Sequence, residues 1–452
     1  MARTKDMTSG KPALLIFGFA MPILAGNILQ QLYSLVDSLI VGRILGVTAL
    51  AAVSASGWLD WAVISIAMGL AQGFSIQAAQ SFGGGDTAEL RRTAGQSILL
   101  AVIATLVLEA LSQAILRPVL VWMNAPKETV DLTEGYLRII YAGLPVVMAV
   151  NVLNGFLHAV GNSRTPLAAL AIASAVNMLL DWIFVGYCGM GINGGACATV
   201  AAQCVSALIS LRAVRELPAL HPAREDLRPD RRMSARLLRL GLPIAFQNVI
   251  ISVGGLILQG VVNGFGFVFM AGYNAAARLQ GLVEMSGVSL GNAVGTFTGQ
   301  NYGAGKKDRV RAGLRSSALM GLGMALFISG VMALFGKQIL SLFIQDDPAL
   351  AEQVLSIGYQ FLCVMAAGLP MLYLLFVYRS TLQGLGNTVI PMISGFVELG
   401  MRVGCVLLLP LVFGVWGIYT AEIAAWIGAA ILLIISCYRQ LNRLKGIGTG
   451  YD

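Results

Sequence analysis

The chain has 452 residues, of which 57% are hydrophobic and only 12% are charged, and its mean hydropathy is +0.78. These values lie outside the range of soluble globular domains and predict a polytopic membrane protein. The formal net charge of +8 does not indicate nucleic-acid binding, because the basic residues lie in short clusters between apolar segments and have no aromatic platform beside them.

Twelve apolar segments are each long enough to cross a bilayer, for which an α-helix needs about 20 residues. The predicted spans are 13–42, 52–81, 94–117, 136–160, 166–187, 193–213, 238–263, 273–302, 316–336, 356–384, 391–414 and 416–438. The first follows Arg3, Lys5 and Lys11 in the outline of a signal peptide. It continues too far past any small-residue cleavage site, so we interpret it as a retained span.

The longest hydrophilic stretch follows the sixth span and contains three prolines. We therefore predict an N-terminal six-helix lobe at 1–213, a cytoplasmic linker at 214–237 and a C-terminal six-helix lobe at 238–452. Lys and Arg are concentrated at both termini, in this linker and in the alternate loops that share their side. Basic loops stay in the cytoplasm, so we predict a multi-pass protein of the cytoplasmic (inner) membrane with both termini cytoplasmic.

The two halves of the chain repeat each other in order. The recurring elements are Pro22 and Asn27 with Pro243 and Asn248, Gln80 to Gly85 with Gln300 to Gly305, and Gly161-Asn162 before Pro166 with Gly386-Asn387 before Pro391. Six spans is an even number, so both halves enter the membrane in the same orientation. The predicted fold class is an all-α polytopic membrane protein with twelve transmembrane helices in two pseudo-symmetric six-helix bundles, an architecture common in secondary transporters.

Two spans of the first half carry carboxylates within apolar sequence. Asn177 and Asp181 lie four residues apart on one face of the fifth span, and Gln30, Tyr33 and Asp37 form one stripe on the first. A carboxylate in the middle of a span costs roughly 2.5 to 3.5 kcal/mol on insertion scales, so such residues usually face a bundle interior and mark a transport path. We therefore predict that the two helices direct carboxylates at one cavity.

The second half lacks these two acids. The aligned pairs are Asp37 with Leu258, Asn177 with Arg402, Asp181 with Val406 and Thr199 with Glu422. Carboxylate, amide and hydroxyl oxygens suit a small hard cation, and a carboxylate can hold a proton instead, so either would serve as a coupling ion. The alternative interpretation is a buried hydrogen-bonded structural pair of aspartates, with the threonine bonded to its own helix.

The second half has intramembrane charges of its own. Glu398 and Arg402 are four residues apart on the eleventh span, so we expect them to neutralise each other. Arg379 has no evident partner. Glu284 and Glu422 have no basic neighbour at this spacing, which makes them candidates to line a substrate cavity.

Sequence motifs for catalysis are missing. The chain has only two histidines, no Cys-x-x-Cys pair and no Gly-x-x-x-x-Gly-Lys-[Ser/Thr] phosphate-binding loop. We therefore predict a protein that is not an enzyme, without a cofactor and without a metal site other than one for sodium at the coupling residues.

Several motifs occur together in this chain: Gln30-x-x-Tyr33-x-x-x-Asp37, Asn177-x-x-x-Asp181, Gly195-Ala196-x-Ala198-Thr199, Gln300-Asn301-Tyr302-Gly303-Ala304 and the twin Gly-Asn turns. The combination resembles bacterial members of the multidrug and toxic compound extrusion (MATE) family over nearly the whole chain. The resemblance implies two six-helix lobes around a central cavity and cation-coupled antiport that exports amphipathic, often cationic, organic compounds. It also implies an N-lobe ion or proton site formed by Asp37, Asn177, Asp181 and Thr199, with Gln30 and Tyr33 nearby.

Some members of that family place acidic residues on the seventh and tenth spans, where this chain has no carboxylate and offers Gln247, Gln259 and Asn263. We add these three residues to the candidate substrate cavity. Proton and sodium both remain open as the coupling ion. The expected partners are small organic substrates and membrane lipids, with no nucleic acid, and the chain is expected to be a monomer.

A lipid-linked precursor flippase of the same superfamily is the alternative function. It would need a strongly cationic cavity for phosphates, whereas the unpaired intramembrane charges here are mainly acidic. A major-facilitator exchanger also has twelve spans, but its Asp-Arg-x-Gly-Arg-Arg loop is missing after the second span. A membrane-embedded enzyme would turn over a lipid or peptide, and a channel would show downhill flux without response to an ion gradient.

Overall fold

The computed structural model describes residues 4–122, 127–342 and 348–446, and within these ranges the regular structure is helical, without strands. The helices of the first half are α1 (Pro12–Leu45), α2 (Val47–Gly83), α3 (Thr87–Trp122), α4 (Lys127–Ala142), α5 (Leu144–Ala159), α6 (Arg164–Asp181) and α7 (Gly191–Arg215). The helices of the second half are α8 (Arg231–Asn263), α9 (Phe267–Gly303), α10 (Lys307–Ser341), α11 (Pro348–Gly384), α12 (Val389–Leu408), α13 (Pro410–Phe413) and α14 (Val415–Gly446).

The described residues form a long helical segment at each of the twelve predicted spans. Ten of these helices are long and apolar enough to cross a membrane, and the consecutive helices α4 and α5, bent by 47°, count as an eleventh. Helix α9 is the remaining segment, and Arg278 and Glu284 interrupt its apolar residues. The predicted all-α membrane architecture is confirmed.

The internal repeat is visible in the helix packing. Helix α2 packs on α3 and α5, and its counterpart α9 packs on α10 and α11. Helix α6 packs on α7 in the same way that α12 packs on α14. The halves differ at one Gly-Leu-Pro motif, because the chain bends at Gly143 between α4 and α5 whereas the counterpart, Gly368 to Pro370, lies inside the continuous helix α11.

The chain divides into two compact units. Unit 1 contains the described residues of Met1–Asp6 and Met21–Ala245, and unit 2 contains those of Met7–Ala20 and Phe246–Asp452. The division therefore passes through α1 and α8, and the first turns of each helix belong to a different unit from its remainder. The domain boundaries expected from the sequence, at residues 213 and 238, stay a prediction.

The central linker is hydrogen-bonded to helix α3 of the same unit. The buried Gln96 side chain on α3 donates to the carbonyl oxygens of Asp226, at 2.8 Å, and Arg228, at 2.6 Å. Its Oε1 accepts from the backbone amide of Asp230 and the hydroxyl of Ser234, both at 3.0 Å. One side chain thus satisfies several linker groups, and α8 begins within the range predicted as linker.

Helices α2 and α8 approach closely at glycines within unit 1. A Cβ atom at Gly73 would collide with the backbone of Gly241, and one at Gly69 would lie 2.5 Å from the Cα of Ala245. Backbone atoms move only if a whole helix shifts. Only glycine therefore permits this contact.

We expect Gly73→Ala to lower the free energy of unfolding by about 1 to 3 kcal/mol, because overpacking against backbone forces the helices apart. The measurement is the apparent melting temperature of the detergent-solubilised protein. Gly323→Ala on α10 is the matched control, because nothing lies within 4 Å of the added methyl group. Equal melting temperatures for the two variants would contradict the expectation.

Candidate functional site

The carboxyl groups of Asp37 and Asp181 lie within hydrogen-bonding reach of each other in unit 1. Asp37, on α1, is half-buried, and Asp181, the last residue of α6, is fully buried. A π-helical turn, Trp182–Tyr187, follows Asp181 directly, and the amide of Cys188 donates to the carbonyl of Ile183 at 2.8 Å. Such wide turns inside helices occur frequently at functional sites.

Asn177 connects Asp181 to the neighbouring helix α7. In the amide orientation that satisfies both neighbours, Asn177 Nδ2 donates to Asp181 Oδ2 at 2.6 Å and its Oδ1 accepts from the backbone amide of Thr199 at 3.1 Å. The hydroxyl of Tyr33, on α1, lies beside the side chain of Thr199. Helices α1, α6 and α7 thus bring five of the predicted residues into one polar cluster.

The two carboxyl groups of the cluster have no basic partner among the described residues. Among the described residues, none of the ion pairs includes Asp37 or Asp181. Within the same part of the chain, Asp181 Oδ1 is buried and accepts no hydrogen bond. Buried carboxylate oxygens normally have a partner. The donor set, two carboxylates with amide and hydroxyl groups, suits a proton or a small hard cation.

This site does not resemble a transition-metal centre. The described ranges contain no group of three or more His, Cys, Asp or Glu side chains that could hold a metal ion. Gln30, one turn from Tyr33 on α1, is exposed, and its part in the site stays a prediction.

Sequence reasoning missed Tyr136 on α4 and Asp60 on α2. Tyr136 interacts electrostatically with Tyr33, Asp37 and Asp181, and also with Asp60. Helix α2 begins at Val47, so Asp60 lies well inside it. The intramembrane charge of Asp60 was a usable signal, whereas no sequence pattern connects Tyr136 to the acids.

The corresponding region of unit 2 is a network of ion pairs. Arg402 Nη2 donates to Glu422 Oε2 at 2.9 Å, and Arg379 pairs with Glu398. Glu398 and Arg402, which we expect to neutralise each other, therefore form no direct ion pair, although their charges still interact. Helix packing provides each residue with a partner on a different helix, which the four-residue spacing does not reveal.

The repeat relates the two clusters residue by residue. The aligned pairs are Asn177 with Arg402, Thr199 with Glu422, Tyr33 with Gly254, Asp37 with Leu258 and Asp181 with Val406. A Cβ atom at Gly254 would lie 2.6 Å from Arg402 Nη1, so glycine at this position makes room for the guanidinium group. Unit 2 thus has the positive charge of Arg402 at the position where unit 1 has the neutral amide of Asn177.

The remaining predicted cavity residues make hydrogen bonds and charge interactions with different partners. Glu284 accepts a hydrogen bond from Gln280 Nε2 at 2.7 Å and interacts electrostatically with Arg402 and Glu422. The others are uncharged: Gln247 accepts from Gln383 Nε2 at 3.4 Å, and Gln259 donates to Asn263 at 2.9 Å. A common substrate cavity for these residues stays a prediction.

The family model MatE matches residues 22–183 and 243–406, which together exceed half of the chain and coincide with the two repeats. The chain belongs to the MATE family. Members of this family are transporters and not enzymes, and the resemblance inferred from the motifs is confirmed. This MATE protein is therefore a multi-pass membrane transporter.

Individual relatives of this MATE protein match over most of their length. The chain is 29% identical to the "Probable multidrug resistance protein YoeA" of Bacillus subtilis (strain 168), over 95% of this chain and 94% of that protein. It is 25% identical to the "FAD transporter" of Shewanella oneidensis over 75% of each. The solved "Crystal structure of MATE in the bent conformation" shares the fold, with a TM-score of 0.90 at 23% identity over 98% of this chain and 99% of that chain.

Proposed function

We propose that this protein is a secondary active antiporter that exports amphipathic organic compounds, many of them cationic, in exchange for protons or sodium ions. It works as a monomer in the cytoplasmic (inner) membrane, with both termini in the cytoplasm. The observation that carries this proposal is the pair of neighbouring carboxylates, Asp37 and Asp181, for which no described side chain supplies a positive charge. The name of the relative YoeA supports multidrug export.

Electrostatics explains why such a pair favours an exchangeable cation. Two ionised carboxylates at this separation repel each other, and the repulsion is strong where the surroundings are poor in water. A proton or a sodium ion bound between the two carboxylates removes this repulsion. Asn177 holds one oxygen of Asp181 in place, while Thr199 and Tyr33 add polar groups beside it.

Coupling follows if the ion binds the two conformations of the transporter with different affinities. A ligand shifts a conformational equilibrium only by its differential affinity for the two states. The ion favours the state in which α1 and α6 bring both acids together, and the organic substrate favours the other state. Alternating access of the two lobes then exchanges one positive species for another.

The lipid-linked precursor flippase is disfavoured by the pairing of charges in unit 2. Phosphate groups would need arginines that are free to bind them, whereas Arg379 and Arg402 are already paired with Glu398 and Glu422. The name of the Shewanella relative indicates that an anionic dinucleotide also needs testing as a substrate.

The test is uptake of a fluorescent organic cation into everted membrane vesicles, whose cytoplasmic face points outward, driven first by a pH gradient and then by a sodium gradient. We expect uptake with at least one gradient, and its loss when an ionophore collapses that gradient. FAD is offered to the same vesicles as the anionic competitor. Uptake that continues at the same rate without either gradient would indicate a channel and contradict the proposal.

A further inference from the structure

Unit 2 contains a charge network with one more acid than base. Glu284, Glu398 and Glu422 interact electrostatically with Arg402, and Arg379 joins the network through Glu398. Arg402 is only 5% exposed and Arg379 only 8%, so water screens the charges of the network poorly. Three carboxylates thus share two guanidinium groups.

The observed pairing leaves Glu284 as the surplus acid. Arg402 is paired with Glu422 and Arg379 with Glu398, whereas no ion pair among the described residues includes Glu284. Its hydrogen bond comes from the neutral amide of Gln280. The titratable and charged groups that face it are Tyr273 on α9, Tyr373 on α11, Glu398 and Arg402 on α12 and Glu422 on α14.

Rearrangement within the network does not remove this surplus. If Arg402 turned toward Glu284, Glu422 would lose its partner, and the total charge would be unchanged. The guanidinium is also held in place by Glu422 and by the carbonyl oxygen of Ile251, at 3.4 Å from Nη1. Glu284 is half-buried, and a carboxylate that is partly removed from water without a compensating charge is unfavourable, so an added positive charge stabilises this region.

We propose that Glu284 is a second cation-binding group, located in unit 2, and that it binds one positive charge supplied either by a proton or by a transported organic cation. Arg402 determines which carboxylate takes this role, because it neutralises Glu422 and leaves Glu284. The proposal rests on the proposed cation exchange but concerns residues separate from Asp37 and Asp181.

The test uses the purified full-length protein in detergent and tetraphenylphosphonium as the probe cation. Calorimetry gives the Kd, and a pH indicator in weak buffer gives the protons released per probe bound. The variants are Glu284→Gln, Glu284→Asp and, as a matched control, Glu352→Gln at an exposed position of α11. Size-exclusion profiles confirm that each variant is folded.

If Glu284 binds the organic cation, Glu284→Gln raises the Kd about tenfold, a factor equivalent to about 1.4 kcal/mol, without changing proton release. If Glu284 binds the proton, Glu284→Gln lowers the number of protons released per probe. In either case Glu284→Asp retains most of the wild-type behaviour and Glu352→Gln retains all of it. Unchanged Kd and unchanged proton release in Glu284→Gln would overturn the proposal.

A parallel measurement with Asp37→Asn separates this inference from the proposed function. Loss of gradient-driven exchange in Asp37→Asn together with wild-type binding and proton release in Glu284→Gln would overturn only the second cation group. Undiminished exchange in Asp37→Asn would overturn the assignment in unit 1, while a changed Kd in Glu284→Gln would still support a cation group in unit 2.

Discussion

Replacing Asp37 with Asn is expected to lower gradient-driven exchange by about 100-fold. This factor corresponds to about 2.8 kcal/mol of lost interaction with the coupling ion, since each 1.4 kcal/mol corresponds to a factor of ten. The asparagine side chain has the same shape and still forms hydrogen bonds, but it neither binds nor releases a positive charge. The ion then no longer distinguishes the two conformations, so its gradient cannot drive export.

The measurement is exchange of a fluorescent organic cation for the coupling ion in proteoliposomes. Asp308→Asn is the control, because this carboxylate on α10 is fully exposed and the substitution is identical in chemistry. Asp181→Asn is expected to lower exchange as much as Asp37→Asn does, because the coupling ion is bound by the two carboxylates together. Exchange at the wild-type rate in both Asp37→Asn and Asp181→Asn would show that the two acids have a structural role only.

Replacing Arg402 with Asn is expected to destabilise unit 2 by about 3 to 5 kcal/mol, because the substitution leaves the carboxylate of Glu422 buried without its partner. It also raises the number of uncompensated acids near Glu284. The measurement is the apparent melting temperature in detergent. The substitution removes the contact of Arg402 Nη2 with Glu422 and that of Nη1 with the carbonyl oxygen of Ile251. The decrease in melting temperature should therefore exceed that of Gly73→Ala.

The double variant Arg402→Asn/Glu422→Thr is the informative comparison. It introduces into unit 2 the pair that unit 1 has at Asn177 and Thr199, which are in contact through the asparagine amide. Both charges disappear together, so we expect most of the lost stability to return. The part that does not return is the cost of the cavity left by the guanidinium group. A double variant as unstable as the single one would show that the repeat does not relate these positions.

The sequence by itself determined the membrane class, the positions of the long helices and the internal repeat. These properties depend on the length and hydropathy of contiguous segments and on motifs that recur in order, so they can be read along the chain. The sequence also indicated Asp37 and Asp181, because an acid inside an apolar span is unfavourable without a function. The helical period placed Asn177 on the same face as Asp181.

Only the tertiary structure decided which of these groups meet. Asp37 and Asp181 lie on different helices, and the interaction of Tyr136 with both acids depends on the packing of α4. The partner of Arg402 is the clearest case, because the local spacing favoured Glu398 whereas the packing of α12 on α14 provides Glu422. Ion-pair partners on separate helices leave no periodic signal in the sequence, since their separation along the chain is set by loops and by which helices pack together.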